Sequence, residues 1–134
     1  VISVVSILVR KENDILIEAE QEFTDGRRRM RNHPPSEKMR AGENYMAAAR
    51  RCLQEEMQRK DRDVKILELT HTESYVLMES PSYPGLKTKY MMHSVEALIK
   101  GLPDTDFFTS ESAQNSKDPI KSHHWAWVAE ERSQ

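Results

Sequence analysis

The chain has 134 residues, enough for one domain with a real hydrophobic core and too few for two comfortable ones. Charged residues make up 31% of it and its mean hydropathy is −0.76, which excludes a membrane span of about 20 consecutive apolar residues. The formal net charge of −2 supplies no global field that would draw it to nucleic acid, so partners must be argued from local charge.

Cys52 is the single cysteine, which excludes an intrachain disulfide and points to a reducing, intracellular setting, the cytosol or an organelle matrix. The run Val1 to Val9 is rich in β-branched residues and lacks the basic start and small-residue cleavage site of a signal peptide. It predicts a strand. Asp14 to Glu18 repeats the bias after the polar Lys11-Glu12-Asn13, so the two form a hairpin. Gln21 to Gly42 is poor in apolar residues and punctuated by Gly26, Pro34 and Pro35, which reads as a long loop carrying Arg27, Arg28, Arg29 and Arg31. Loops of that length in small domains are often functional.

Asn44 to Arg59 has helical periodicity: Met46, Ala49, Leu53 and Met57 recur at spacings of three and four. Glu43 and Asn44 set a carboxylate and a capping amide at its positive end. Val64–Thr70 and Thr72–Glu79 read as two strands, and 80–85 as a turn. Thr88–Ile99 is a further strand with Met91, His93, Val95, Ala97 and Ile99 on one face. Gly101 to Ser122 reads as loop, pinned to the core at Phe107-Phe108, and His124 to Val128 as a closing strand. The result is a strand-rich α/β chain with one prominent central helix. The abrupt ends, inside an apolar run and just after Trp125-Ala126-Trp127, suggest a piece cut from a longer protein.

The chemistry concentrates on the helix. At about 100° per residue, Cys52 and Glu56 project about 40° apart with Glu55 on the flank, while the Met46/Leu53/Met57 stripe points elsewhere. Paired carboxylates near a loop suit a hard cation such as Mg²⁺, which takes oxygen ligands and keeps waters for a phosphate-bearing substrate. A bare Glu-Glu pair is also an ordinary solvated helix face.

The wider spacing resembles the signature of the Nudix (nucleoside diphosphate linked to X) superfamily: glycine, five residues, Glu, seven residues, Arg-Glu-aliphatic-x-Glu-Glu-x-Gly. Its first Glu falls on Glu43 after Gly42, its Arg on Arg51, its aliphatic residue on Leu53 and its paired acids on Glu55 and Glu56. The segment Pro34 to Gln58 is thus similar to a degenerate Nudix box. The resemblance implies a Nudix-type α/β/α sandwich of α+β character around a mixed sheet, with the C-terminal helix short or lacking. It also implies metal-dependent diphosphate chemistry, with Glu55 and Glu56 as catalytic and metal-binding residues for Mg²⁺ or Mn²⁺. Gly42, Glu43, Arg51 and Leu53 are then structural parts of the box, with Glu43 and Arg51 joined in a salt bridge that fixes the loop against the helix.

Three positions depart from the signature: Glu37 stands for its first glycine, Cys52 for an acid and Gln58 for its closing glycine. A thiol removes a hard oxygen donor, and glycine loss removes easy access to positive φ. Activity is therefore expected to be impaired or absent, leaving a nucleotide-ligand-sensing or protein-interaction module within a larger chain or complex. The competing reading is an active Mg²⁺-dependent hydrolase cleaving a nucleoside diphosphate derivative such as ADP-ribose or a dinucleoside polyphosphate, with Glu96 or Glu111 supplying the missing acid. Arg27, Arg28, Arg29 and Arg31 would clamp substrate phosphates, and RNA is the weaker partner for the same charges. Cys52 reads as a small apolar residue and Tyr83 as a possible base-stacking side chain. His123 and His124, pointing to opposite faces of a strand, read as surface or packing residues.

Overall fold

The computed structural model describes residues 1–79, 83–111 and 120–130. Strands β1 (Ile2–Lys11) and β2 (Asp14–Phe23) form the expected hairpin, but they pair only beside its turn, at Arg10↔Ile15 and Lys11↔Asp14. Beyond those two pairs they splay apart. Each free edge is taken by another strand: β3 (Arg28–His33) pairs with β2, and β4 (Ser36–Lys38) pairs with β1 at Val4, Val5 and Ser6. The stretch from Gln21 to Gly42 is thus not one loop. Its polar side chains hid two strands whose pairing rests on backbone groups, with the Ile7 N–H donating to the Pro35 carbonyl at 2.9 Å.

Helix α1 (Tyr45–Met57) is one turn shorter than its periodicity suggests and is closed at both ends as the local chemistry requires. The Asn44 side chain accepts from the Ala47 N–H at 2.8 Å. Gln58 ends the helix in the left-handed conformation, φ +56°, so the position where the signature has glycine keeps a glycine-like backbone without the glycine. Glu37, by contrast, lies in β4 and has no positive φ. Losing the first glycine therefore leaves no strained residue behind.

After a single 3-10 turn at Asp61–Asp63 come β5 (Val64–Glu79), β6 (Lys87–Ile99), β7 (Phe107–Ser110) and β8 (Ile120–Ala129). The two strands expected from Val64 to Glu79 are one, interrupted by a register shift between Leu67 and Thr72. The polar stretch Gly101 to Ser122 likewise contains β7 and the start of β8, with residues 112–119 outside the described residues. Phe107 is buried as expected, whereas Phe108 is exposed and stacks on His124 at 4.5 Å.

The strands run in the order β5-β6-β1-β2-β8-β7, and β1 against β6 is the parallel pair in an otherwise antiparallel arrangement, which makes the sheet mixed. The core forms where the inward faces of Val5, Ile7 and Val9 on β1 and Val95 and Ala97 on β6 meet Ala48, Ala49, Leu53 and Met57 on α1. His93 lies on that same face of β6, as the alternation requires.

Trp125 ties β7 and β8 to the helix. Its indole N–H donates to Thr109 Oγ1 at 2.7 Å, and the Thr109 hydroxyl in turn donates to the Glu56 carbonyl near the helix C-terminus. Replacing Thr109 by Val keeps the shape but strands a fully buried indole N–H and a helix carbonyl. Thr109→Val is expected to cost about 1–3 kcal/mol in denaturant unfolding; a variant as stable as the parent would show that this link contributes nothing.

Candidate functional site

The gap between β1 and β2 opens into a cavity of about 800 Å³. Carboxylates enter it from three elements: Glu37 from β4, Glu55 and Glu56 from α1, and Glu111 from the residue that follows β7. Cations enter it too, with Arg29 and Arg31 on β3, Lys38 on β4, Arg40 in the turn before the helix and Arg51 on α1.

Arg51 fixes the frame. Its Nε and one Nη each donate to Glu43 at 3.0 Å, a bidentate contact, and the same Nη donates to the Lys38 carbonyl at 2.9 Å. Glu43 also accepts from the Arg40 N–H at 3.0 Å. One guanidinium thus holds β4, the 40–43 turn and the helix in fixed relation, and its hydrogen bonds keep the Glu43 carboxyl below the usual range. The other Nη of Arg51 lies 3.5 Å from Glu55, which Arg40 approaches at 3.6 Å from the other side.

The inner wall differs from the sequence expectation. Helical geometry puts the Glu56 carboxylate on a face offered to solvent, yet it is 6% exposed, while Cys52, at 0%, is buried as a small apolar residue is expected to be. The helix packs against β1, β4 and β7, and β8, paired with β7, brings His123 into the same buried cluster. His123 is not a surface or packing residue: it is 1% exposed, its Nδ1 contacts Glu18, and its Nε2 lies 2.5 Å from Glu111. His124 points the other way, 3.2 Å from Asp106, as strand alternation requires. Glu18, 1% exposed, also accepts from Gln21 at 3.1 Å and from Arg31 at 3.0 Å.

This packing sets the charges. Burial, followed by the proximity of Glu18, pushes the Glu56 carboxyl up to about 8, so it holds a proton at neutral pH. His123 is driven the opposite way: burial alone would lower it, but hydrogen bonds to Glu111 and Glu18 outweigh burial and raise it to about 9. In Glu18 the bonds from His123, Gln21 and Arg31 outweigh burial and keep the carboxylate ionised. The Cys52 thiol donates to Glu56 Oε2 at 3.3 Å, and burial with the nearby acids pushes it well above its ordinary range. It stays a protonated thiol in the metal-free chain.

Of the four arginines read as a phosphate clamp, Arg29 and Arg31 reach the cavity. Arg28 faces away from it, 3.4 Å from Glu20 and Glu22, because alternate residues of β3 face opposite ways, and Arg27 lies in the turn before β3, paired with Asp25 at 2.7 Å. The four do not form one basic strip. Glu96 is also away from the cavity, paired with Arg10, whereas Glu111 lines it. Tyr83 lies on the exposed β5–β6 turn and does not line the cavity. The residues that sequence reasoning missed are Glu18, Glu37, Lys38, Arg40 and His123. Two of them had a signal. Glu18 sits at an inward position of β2 two residues after Leu16, and His123 sits two before Trp125, so each puts a charge in an apolar register.

The donor set suits a hard divalent cation. Oxygen donors from Glu37, Glu55, Glu56 and Glu111 share one cavity, and side-chain atoms of Glu18, Glu56 and His123 lie within 4.8 Å of one another. Glu56 keeps its proton because burial and then the nearby Glu18 carboxylate oppose its ionisation, a cost that a cation would offset. Without metal, the ordinary values of 4.5 for Glu56 and 6.5 for His123 lie below their folded values of about 8 and about 9. Both groups therefore bind protons in the folded chain that the unfolded chain releases, so stability falls as pH rises through the folded values. Thermal unfolding in a chelator is expected to show a lower Tm at pH 9 than at pH 6.5, with Glu56→Gln flattening part of the drop. A Tm that stays level or rises would contradict these shifts.

No protein-family model matches the chain, and neither does any curated protein. Solved structures do match. The crystal structure of a C. elegans Ap4A hydrolase binary complex aligns over 96% of this chain and 80% of that one, at 14% identity and TM-score 0.57. A NUDIX hydrolase from Nitrosomonas europaea aligns over 95% of this chain and 71% of that one, at 13% identity and TM-score 0.51. At these identities the likeness is one of architecture: the chain has the Nudix hydrolase fold.

Proposed function

We propose that the cavity binds the diphosphate of a nucleoside diphosphate derivative through a divalent cation, Mg²⁺ or Mn²⁺, with hydrolysis slow or absent. In this reading the chain serves as a ligand-sensing or protein-interaction module. The observation that carries it is the convergence of four carboxylates and several cations on one cavity, the charge arrangement that a metal–diphosphate complex requires. Glu55 and Glu56 are the primary metal-binding residues, with Glu37 and Glu111 completing the oxygen donors. Arg29, Arg31, Lys38 and Arg40 hold phosphate oxygens, while Arg51 positions the loop. When bound, the cation supplies Lewis acidity at a phosphoryl oxygen and a more acidic water. Slow turnover follows from Cys52, whose protonated thiol removes a carboxylate from the centre of the box.

One observation favours the second reading, an active diphosphate hydrolase. Glu37 and Glu111 both reach the cavity, so an acid from outside the helix is available where Cys52 supplies none. The Ap4A hydrolase likeness makes dinucleoside polyphosphates the first compounds to try.

Glu56 must lose its proton to take a cation, so Mg²⁺ affinity should rise with pH through about 8. Calorimetry in two buffers of different ionisation enthalpy at pH 7 should register release of about one proton per ion. Binding without proton release would remove Glu56 from the metal site. Incubation with ADP-ribose, dinucleoside polyphosphates and NADH in Mg²⁺ or Mn²⁺ decides between the two readings. Metal-dependent binding with little turnover is expected, while turnover abolished by Glu56→Gln would establish the hydrolase instead.

A further inference from the structure

Outside the acidic cavity, the β5–β6 pair builds a second cluster with a different donor chemistry. The register shift in β5 sets Glu68–His71 against Val95 alone, between the pairs Leu67↔Glu96 and Thr72↔Ser94. Such a bulge re-aims a side chain. It is fastened by Thr70, whose hydroxyl donates to the Leu67 carbonyl at 2.6 Å and accepts from the Glu96 N–H at 2.8 Å. The side chain it re-aims is His71. His71 Nε2 comes to 2.8 Å from Nδ1 of His93 on β6, and Glu73 Oε1 lies 3.8 Å from each of these nitrogens.

The rings are held in place. Tyr45, the first residue of α1, stacks on His71 with centroids 3.6 Å apart and planes 8° apart, and His71 and His93 are themselves within 8° of parallel. His93 is buried on the helix-covered face of β6, directly opposite Glu73 in the strand register. Glu73 is half-exposed, so the third donor has more freedom than the two stacked rings.

We propose that His71, His93 and Glu73 form a binding site for a transition-metal ion of the zinc class, separate from the acidic cavity. A tetrahedral ion about 2.0–2.2 Å from imidazole nitrogen and carboxylate oxygen needs donors separated by roughly 3.3–3.5 Å. The separations of 2.8, 3.8 and 3.8 Å bracket that value, so small shifts of His71 and Glu73 close the site. Imidazole nitrogen favours Zn²⁺, Co²⁺, Ni²⁺ or Cu²⁺ over Mg²⁺, which the carboxylate-rich cavity suits better. The N···N contact is itself informative: it requires one ring to present a lone pair to the other's N–H, so at least one imidazole is neutral. Coordination by both rings requires the hydrogen in that contact to move to the far nitrogen of its ring, a change of tautomer without change of charge. Two histidines and a carboxylate leave one position of a tetrahedral ion for water, on the side where Glu73 meets solvent. The bound ion would clip the β5 bulge to β6, beside the first residue of the helix.

The test is titration of the folded chain with Co²⁺ and with Zn²⁺ alone, followed by visible absorption and by calorimetry. One equivalent of Co²⁺ should give the intense visible bands of a low-coordinate nitrogen-ligated site, displaced by Zn²⁺ and not by excess Mg²⁺. His71→Asn should weaken binding by at least roughly tenfold. Glu73→Gln, at a half-exposed position that leaves the rings in place, should weaken it in the same direction. Glu55→Gln in the acidic cavity should leave these bands unchanged. The proposal is overturned if the wild-type chain gives no such bands, if Mg²⁺ displaces Co²⁺, or if neither His71→Asn nor Glu73→Gln, each checked as folded by circular dichroism, alters affinity.

Discussion

Everything distinctive about this domain depends on how briefly β1 and β2 stay together. A hairpin whose arms remained paired would leave no room between them. Here the arms part after two residue pairs, and the backbone groups thus exposed must find other partners. β3 and β4 supply them, one on each side of the gap. The cavity is the space that remains, walled by strands on two sides and by the helix on a third. Because its walls come from segments close in sequence, a 25-residue stretch can furnish most of its charge.

The electrostatics follow from that enclosure. Glu18, Glu56 and His123 are all nearly excluded from water, and the arrangement is tolerable because one carboxylate is ionised against an imidazolium while the other stays protonated. Cys52 belongs to the same arrangement. A carboxylate in its place would lie inside the fully buried part of the helix beside Glu56, whereas a thiol can donate a hydrogen bond to Glu56 and remain neutral. The thiol thus lowers the charge the core must hold when no metal is bound. Arg51 makes the complementary contribution at the rim, where one guanidinium fastens the box loop to the helix through Glu43 and Lys38.

Much of this was legible in the order of residues, and the exceptions have physical causes. The helix, its Asn44 cap and the β6 alternation were readable because apolar periodicity and capping chemistry are local. So was the Glu43–Arg51 spacing. β3 and β4 were not readable, because their pairing rests on main-chain groups and their side chains, Arg28 to Arg31 and Ser36 to Lys38, look like those of a loop. The division of the arginine run into Arg29 and Arg31 within the cavity and Arg28 outside it follows from a strand that was not foreseen. His123 was hidden for another reason: its role depends on a pairing with β2 more than a hundred residues away in sequence, a distance over which no local pattern carries information.

The central claim is that one divalent ion sits among Glu37, Glu55, Glu56 and Glu111. Paramagnetic Mn²⁺, added at substoichiometric amounts to the isotopically labelled chain, tests it directly through the broadening of nearby resonances. The account predicts that signals from these four residues and His123 broaden first, while Glu96 and Arg28 stay sharp, and that excess Mg²⁺ reverses the effect. Broadening centred elsewhere, or none at all, would contradict it.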